Sequence, residues 1–268
     1  MKKITLLLSS LVLAMSASAY RTETICLESK NLPAPDSVLV IVPDAAATAK
    51  CPSVYMLNGF GGDHRQWTMI RPDLGKYADL YGMVLVMPSG MDSWYWDAPA
   101  DPQMQMETFI TKELIPYIDS HYNTAADRGK RAVTGLSMGG HGAFWLAARH
   151  PELFGSAAAI SGGVDIRPFK DSWKMKNRLG EKDKYPEQWE KHTVANMVPE
   201  LKNGKLNLSI DCGADDFFAG VNKKLHEDLL AAGVPHDYTS RPGAHTFAYW
   251  KNAIIYQLLF FNEAFCRK

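Results

Sequence analysis

The sequence predicts an α/β fold with a mostly parallel central sheet and helices on both of its faces. Three observations carry that expectation. Short apolar runs rich in Val, Ile and Leu alternate with longer amphipathic stretches along nearly the whole chain. That is the rhythm of parallel strands joined by crossover helices. Several of the runs stop at Gly or Pro, as strands buried on both faces do. Hydrophobic residues make up 46% of the 268, enough to fill one large core.

The elements follow in order. Residues 22–28 (Thr-Glu-Thr-Ile-Cys-Leu-Glu) alternate like a strand, and Asp36 to Val42 is a second. No helix lies between them, so they are expected to pair antiparallel at an edge. Pro43 to Pro52 is a loop. Ser53 to Leu57 is a buried strand, stopped by Asn58-Gly59-Phe60-Gly61-Gly62. A helical stretch spans about Arg65 to Tyr81, with Pro72 positioned to divide it. Met83 to Met87 is the next strand. Residues 91–102 form a loop that carries Trp94, Tyr95 and Trp96. Gln103 to Tyr122 has helical periodicity. Arg131 to Leu136 is a strand, and Met138 to Arg149 the helix after it. Ala157 to Ile160 is another strand. Residues 162–205 then carry no strand signal and many charges, yet include Trp173 and Trp189. This segment is a short, cap-like insertion with apolar anchors. Leu206 to Asp211 restores the strand pattern. Phe218 to Ala232 is a helix, His236 to Ser240 the last strand, and Thr246 to Phe265 the closing helix.

Ahead of these elements, Lys2 and Lys3 precede an apolar run from Ile4 to Met15, and Ala17-Ser18-Ala19 has the form of a small-residue cleavage site. This predicts a signal peptide over 1–19 and a single domain over 20–268. The apolar run is too short to span a bilayer. The mature protein is expected to be exported, to the periplasm or beyond. Lys and Arg balance Asp and Glu at 29 each; loss of Lys2 and Lys3 leaves a charge of −2. That balance gives no basis for a nucleic-acid or anionic-membrane partner. The four cysteines, Cys26, Cys51, Cys212 and Cys266, match no metal spacing. Cys212 ends an apolar strand and is expected to be buried and free.

The chemistry centres on Val133-Thr134-Gly135-Leu136-Ser137-Met138-Gly139-Gly140. A strand running into Gly-x-Ser-x-Gly and then a helix lifts one hydroxyl clear of the sheet. A serine needs an adjacent base. In hydrolases with this architecture the acid and then the histidine follow it in the chain. Of the eight histidines, His245 lies in a loop between the last strand and the closing helix. Pro242 and Gly243 present it at the carboxyl edge of the sheet. The acid belongs in the loop Cys212-Gly213-Ala214-Asp215-Asp216-Phe217-Phe218. Two adjacent carboxylates compete there, and spacing does not choose between them; the other is a candidate helix cap. For an oxyanion, two backbone N–H groups must converge. Met138, after the serine, supplies one, and Phe60 in the glycine loop supplies the other.

These pieces resemble the esterase D-like family of α/β-hydrolases, which includes S-formylglutathione hydrolases, tributyrin esterases, feruloyl and acetylxylan esterases, and mycolyltransferases. Val54-Tyr55-Met56-Leu57-Asn58-Gly59 is similar to the family's oxyanion segment, with Asn58 where a His is usual. Ser93-Trp94-Tyr95-Trp96-Asp97 resembles its aromatic segment, and Glu107-Thr108-Phe109 through Glu113-Leu114 its Glu-Thr-Phe helix. His245, Phe247 and Trp250 resemble its histidine loop and closing helix. The resemblance covers nearly all of the chain after residue 19. It implies the α/β-hydrolase fold and selects Asp216 over Asp215, because the family's acid lies three residues after the loop glycine.

The reading is therefore a serine esterase with Ser137, Asp216 and His245, needing no metal or cofactor. It acts on a small-molecule or carbohydrate ester, either a short-chain acyl ester or an acyl or feruloyl group on polysaccharide. Export argues against S-formylglutathione, a cytosolic metabolite. Trp94, Tyr95 and Trp96 are candidates to touch substrate, as are Trp173 and Trp189; the alternative for each is packing in the core or cap. The rival functions are acyl transfer on the same triad, peptidase action, and a catalytically silent fold that binds carbohydrate.

Overall fold

A computed structural model describes residues 20–267, so the signal peptide expected over 1–19 lies outside the described residues. Its strands are β1 (Arg21–Leu27), β2 (Asp36–Val42), β3 (Ser53–Leu57), β4 (Val84–Pro88), β5 (Arg131–Leu136), β6 (Ser156–Ile160), β7 (Asn207–Gly213) and β8 (Asp237–Arg241). They form one sheet in the order β1-β2-β4-β3-β5-β6-β7-β8. Every pairing from β4 through to β8 is parallel. The expected antiparallel edge is present and extends one pairing further, because β2 also runs antiparallel to β4.

Every residue of β3, β4, β5 and β6 is buried, which is why their sequences, apart from Arg131 at the start of β5 with its partner Asp119, are apolar or small rather than alternating. The two faces still separate by the strand period of two. Tyr55, Leu57 and Val133 point into one core, while Val54, Met56 and Ala132 point into the other.

The helices cover both faces. The first stretch is two helices, α1 (Gln66–Ile70) and α2 (Leu74–Tyr81), split around Pro72. The next helix starts at α3 (Met106–Thr108), widens through a π turn over Phe109–Leu114 and continues as α4 (Ile115–His121). Pro116 has no N–H to return to the preceding turn, and the ladder widens just ahead of it. After β5 comes α5 (Met138–Arg149), with all but its last residue buried. Residues 162–205 hold α6 (Lys176–Leu179), α7 (Pro186–Lys191) and α8 (Val198–Asn203) and no strand. Met175, Leu179, Trp189 and Leu201 anchor this segment in the main core. The chain closes with α9 (Ala219–Ala231) and α10 (Phe247–Cys266).

The four cysteines are unpaired, with Cys51 and Cys212 buried and Cys26 and Cys266 exposed. Among the described residues, no helix is long and apolar enough to cross a membrane.

Candidate active site

Ser137 sits on the turn from β5 into α5 with φ 56° and ψ −116°. A positive φ is costly for a residue with a Cβ. The turn is tight enough that two neighbours must be glycine. A Cβ on Gly135 would lie 2.2 Å from the Gly139 carbonyl oxygen, and one on Gly139 would lie 2.3 Å from that of Leu57. The glycines of Gly-x-Ser-x-Gly are therefore required by backbone contact.

The chain's three expected partners come together around this turn. The Ser137 hydroxyl donates to His245 Nε2 at 2.9 Å. His245 Nδ1 donates to Asp216, at 2.9 Å from Oδ2 and 3.1 Å from Oδ1. The carboxylate is fully buried, while the imidazole keeps a partly exposed edge. The loops after β7 and β8 are fastened to each other, since Ala214 N–H donates to Arg241 O at 2.8 Å and Asp215 N–H to Gly243 O at 2.9 Å. That zipper sets the separation of acid and histidine. Asp215 is exposed. Against expectation, it is no helix cap. Asp216 itself accepts from Phe218 N–H at 2.8 Å, so one carboxylate both ties down the turn ahead of α9 and orients the imidazole.

The loop carrying Phe60 passes directly beside the serine: a Cβ on Gly59 would lie 3.3 Å from Ser137 Cβ. Met138 is the first residue of α5, where a helical N–H has no partner within its own helix and the macrodipole favours negative charge. Asn58, in the position where the family has His, is buried and fully engaged. Its Oδ1 accepts from Gly90 N–H at 2.7 Å and its Nδ2 donates to Gly59 O at 2.9 Å. Gln66 Oε1 accepts from Gly59 N–H at 2.7 Å. Neither Asn58 nor Gln66 carries a motif that announces this anchoring role.

Trp94, Tyr95 and Trp96 require a correction. All three are buried, at 1%, 0% and 0% exposure, and so are not surfaces for substrate. Met91, Trp94 and Tyr95 all have positive φ, which turns the loop inward. Trp94 stacks on Trp96 with centroids 5.6 Å apart. Trp189, also considered for substrate, is a core residue at 0% exposure. Trp173 is only partly buried.

The buried rings support the site from behind. Trp96 Nε1–H donates to His141 Nε2 at 2.9 Å, so His141 Nδ1 holds the ring proton and donates to Gly163 O at 3.0 Å. Burial holds His141 neutral, with its pKa pushed down to about 3. Gly163 N–H in turn donates to Ser137 O at 3.2 Å. Farther along, Glu107 accepts from Trp145 Nε1, Arg149 Nε and His150 Nε2 at 2.7–2.8 Å. Burial alone would raise the Glu107 pKa, but these donors outweigh it and hold the carboxyl below its ordinary value. His150 thus has a specific acidic partner beyond its place at a helix end.

The family model described as "Putative esterase" matches residues 29–261. The chain is 25% identical over 214 residues to the S-formylglutathione hydrolase of Mus musculus, covering 72% of this chain and 74% of that protein. It is 24% identical over 214 residues to an acetyl esterase of Caldicellulosiruptor saccharolyticus, covering 75% of this chain and 80% of that protein. A solved ferulic acid esterase superposes with a TM-score of 0.80 at 25% identity, over 92% of this chain and 99% of that one. A family match over most of the chain, joined to the sheet and nucleophile turn described above, means that the chain belongs to the "Putative esterase" family, as an esterase with the α/β-hydrolase fold.

Proposed function

We propose that the chain is an exported serine esterase in which Ser137 is the nucleophile, His245 the general base and acid, and Asp216 the residue that orients His245. The observation that carries this is the continuous hydrogen-bonded line from Ser137 Oγ through the imidazole to Asp216. His245 Nε2 takes the hydroxyl proton as Oγ bonds to the ester carbonyl carbon. The negative charge passes to the carbonyl oxygen, where Phe60 and Met138 N–H groups stabilise it. Collapse breaks the bond to the alkoxide, which leaves with the proton from Nε2. Water then repeats the sequence on the acyl-enzyme, and the carboxylic acid departs.

Similarity to an acetyl esterase and to a ferulic acid esterase supports a short-chain acyl ester, or an acyl or feruloyl group on polysaccharide, as substrate. Lys2, Lys3, the apolar run to Met15 and Ala17-Ser18-Ala19 support export to the periplasm or beyond. Fluorophosphonate labelling tests the nucleophile. Wild type is expected to be labelled and to hydrolyse p-nitrophenyl acetate. Ser137→Ala is expected to do neither while keeping the wild-type circular dichroism spectrum. Near-normal turnover by Ser137→Ala overturns the assignment.

A further inference from the structure

An aromatic column rises directly from the base of the site. The Phe217 ring lies on His245 with centroids 4.2 Å apart and planes 35° from parallel. Trp173, from the 162–205 segment, stacks on Phe217 at 5.8 Å and 20°. Phe218 and Phe169 back the indole at 5.3 and 5.5 Å. A centroid separation near 6 Å is an offset stack, which leaves part of each face and an edge open. Phe217 accordingly keeps 52% exposure, while Phe218 beneath it has 1%.

The column is held in place at a cost. Trp173 and Lys174 have φ of 48° and 55°, a conformation that non-glycine residues adopt only when the surroundings enforce it. The enforcing contacts are visible. Arg178 pairs with both Asp92 and Asp101, and Lys174 with Asp92 at 3.4 Å. Ala100 N–H donates to Arg178 O at 3.0 Å. These contacts fasten residues 173–178 to the 91–102 loop, with the indole directed toward Phe217. Phe217, half exposed, lies against the imidazole that transfers the proton, and Trp173, on a strained backbone, lies one ring further out. Large rings already immobilised lose little freedom when a ligand packs on them.

We propose that Trp173 and Phe217 form the surface against which a flat, uncharged ring of the substrate packs, and that they set a preference for ring-bearing esters. This rests on the esterase reading above. The ring belongs to the acyl half or to the alcohol half, and the assay separates the two. Methyl cinnamate carries it on the acyl side, benzyl acetate on the alcohol side, and ethyl acetate has none. Wild type is expected to prefer one ring-bearing ester over ethyl acetate in kcat/KM. Trp173→Leu and Phe217→Leu each lower that ratio about tenfold, mostly through KM, while Trp173→Phe keeps most of it. The ester whose ratio falls identifies the half. Calorimetric binding of the same two ring-bearing esters to Ser137→Ala, with and without Trp173→Leu, needs no turnover. Loss of binding with Trp173→Leu supports the surface even if wild type hydrolyses none of the esters, an outcome that counts against the esterase reading alone. Unchanged ratios in both leucine variants, together with unchanged binding on adding Trp173→Leu to Ser137→Ala, overturn the proposal.

Discussion

The Tyr95 hydroxyl donates to Asn58, at 3.0 Å from its carbonyl oxygen and 3.1 Å from its side-chain Oδ1. The phenol is completely buried, and burial, reinforced by Asp36, raises its pKa well above the ordinary tyrosine value, so it remains a donor at any working pH. A residue of the aromatic loop thereby fixes the peptide that leads into Gly59 and Phe60. Tyr95 is a positioning residue for the loop beside Ser137.

Tyr95→Phe removes one hydroxyl and leaves the ring's packing. The Asn58 carbonyl loses its donor, at a cost of about 1–3 kcal/mol in stability. The Phe60 N–H is then held less firmly, and kcat is expected to fall by about tenfold with KM within about twofold. Steady-state kinetics on p-nitrophenyl acetate check the split; a change confined to KM argues against this role.

Asp216 and Asp215 differ sharply in their surroundings, one buried on the imidazole and one in solvent. Asp216→Asn preserves shape but stabilises neither the histidine tautomer nor the imidazolium. It is expected to lower kcat by about three to four orders of magnitude. Asp215→Asn is expected to change kcat by less than about twofold. Equal losses in the two variants remove Asp216 from the acid role.

Glu107 tests stability separately from chemistry. It joins the helix that starts at Met106 to the end of α5 through Trp145, Arg149 and His150. Glu107→Ala leaves these donors without their shared acceptor, and is expected to cost about 3 kcal/mol. Arg149 is partly exposed and recovers some of its hydration. Urea unfolding followed by tryptophan fluorescence measures the loss, and fluorophosphonate labelling at 25 °C is expected to persist.

Asp36 gives a pH signature. Burial raises its pKa to about 8, only partly opposed by the Ser89 N–H. Unfolded, it ionises near 4. Between these values the folded state holds a proton that the unfolded state releases, so stability falls as pH rises from about 4 to about 8. Asp36→Asn cannot titrate. Its melting temperature relative to wild type is expected to increase steadily across that window; a constant difference from pH 5 to 8 counts against a protonated Asp36.

The sequence reveals what local chemistry and chain order determine. β3 and β5 are legible to the residue because a strand buried on both faces reads as a short, mostly apolar run bounded by Gly. Ser137 and His245 are legible because a strained turn needs its glycines and because the base follows in order, whereas chain order leaves Asp215 and Asp216 equal and only the family resemblance favours Asp216. The fates of Trp94, Tyr95 and Trp96 are not legible. An aromatic loop reads the same whether it faces solvent or fills the space beside α5, and only the distant His141 and Asn58 distinguish the two. Phe217 is equally silent, an apolar residue after an acid whose partner lies in a separate segment. The onset of the helix at Met106 rather than Gln103 is a boundary of the kind that periodicity leaves loose.

Ser137 and His245 meet across 108 residues of chain, and β6, β7 and β8 lie in sequence beyond β5 on the same side of the sheet. Their hydrogen bond therefore cannot form until three successive parallel strands have docked, each requiring a long crossover to close first. The active centre is expected to assemble late in folding. On refolding from urea, recovery of fluorophosphonate reactivity should lag behind recovery of the helical signal, which makes the reactive serine a clock for completion of the sheet.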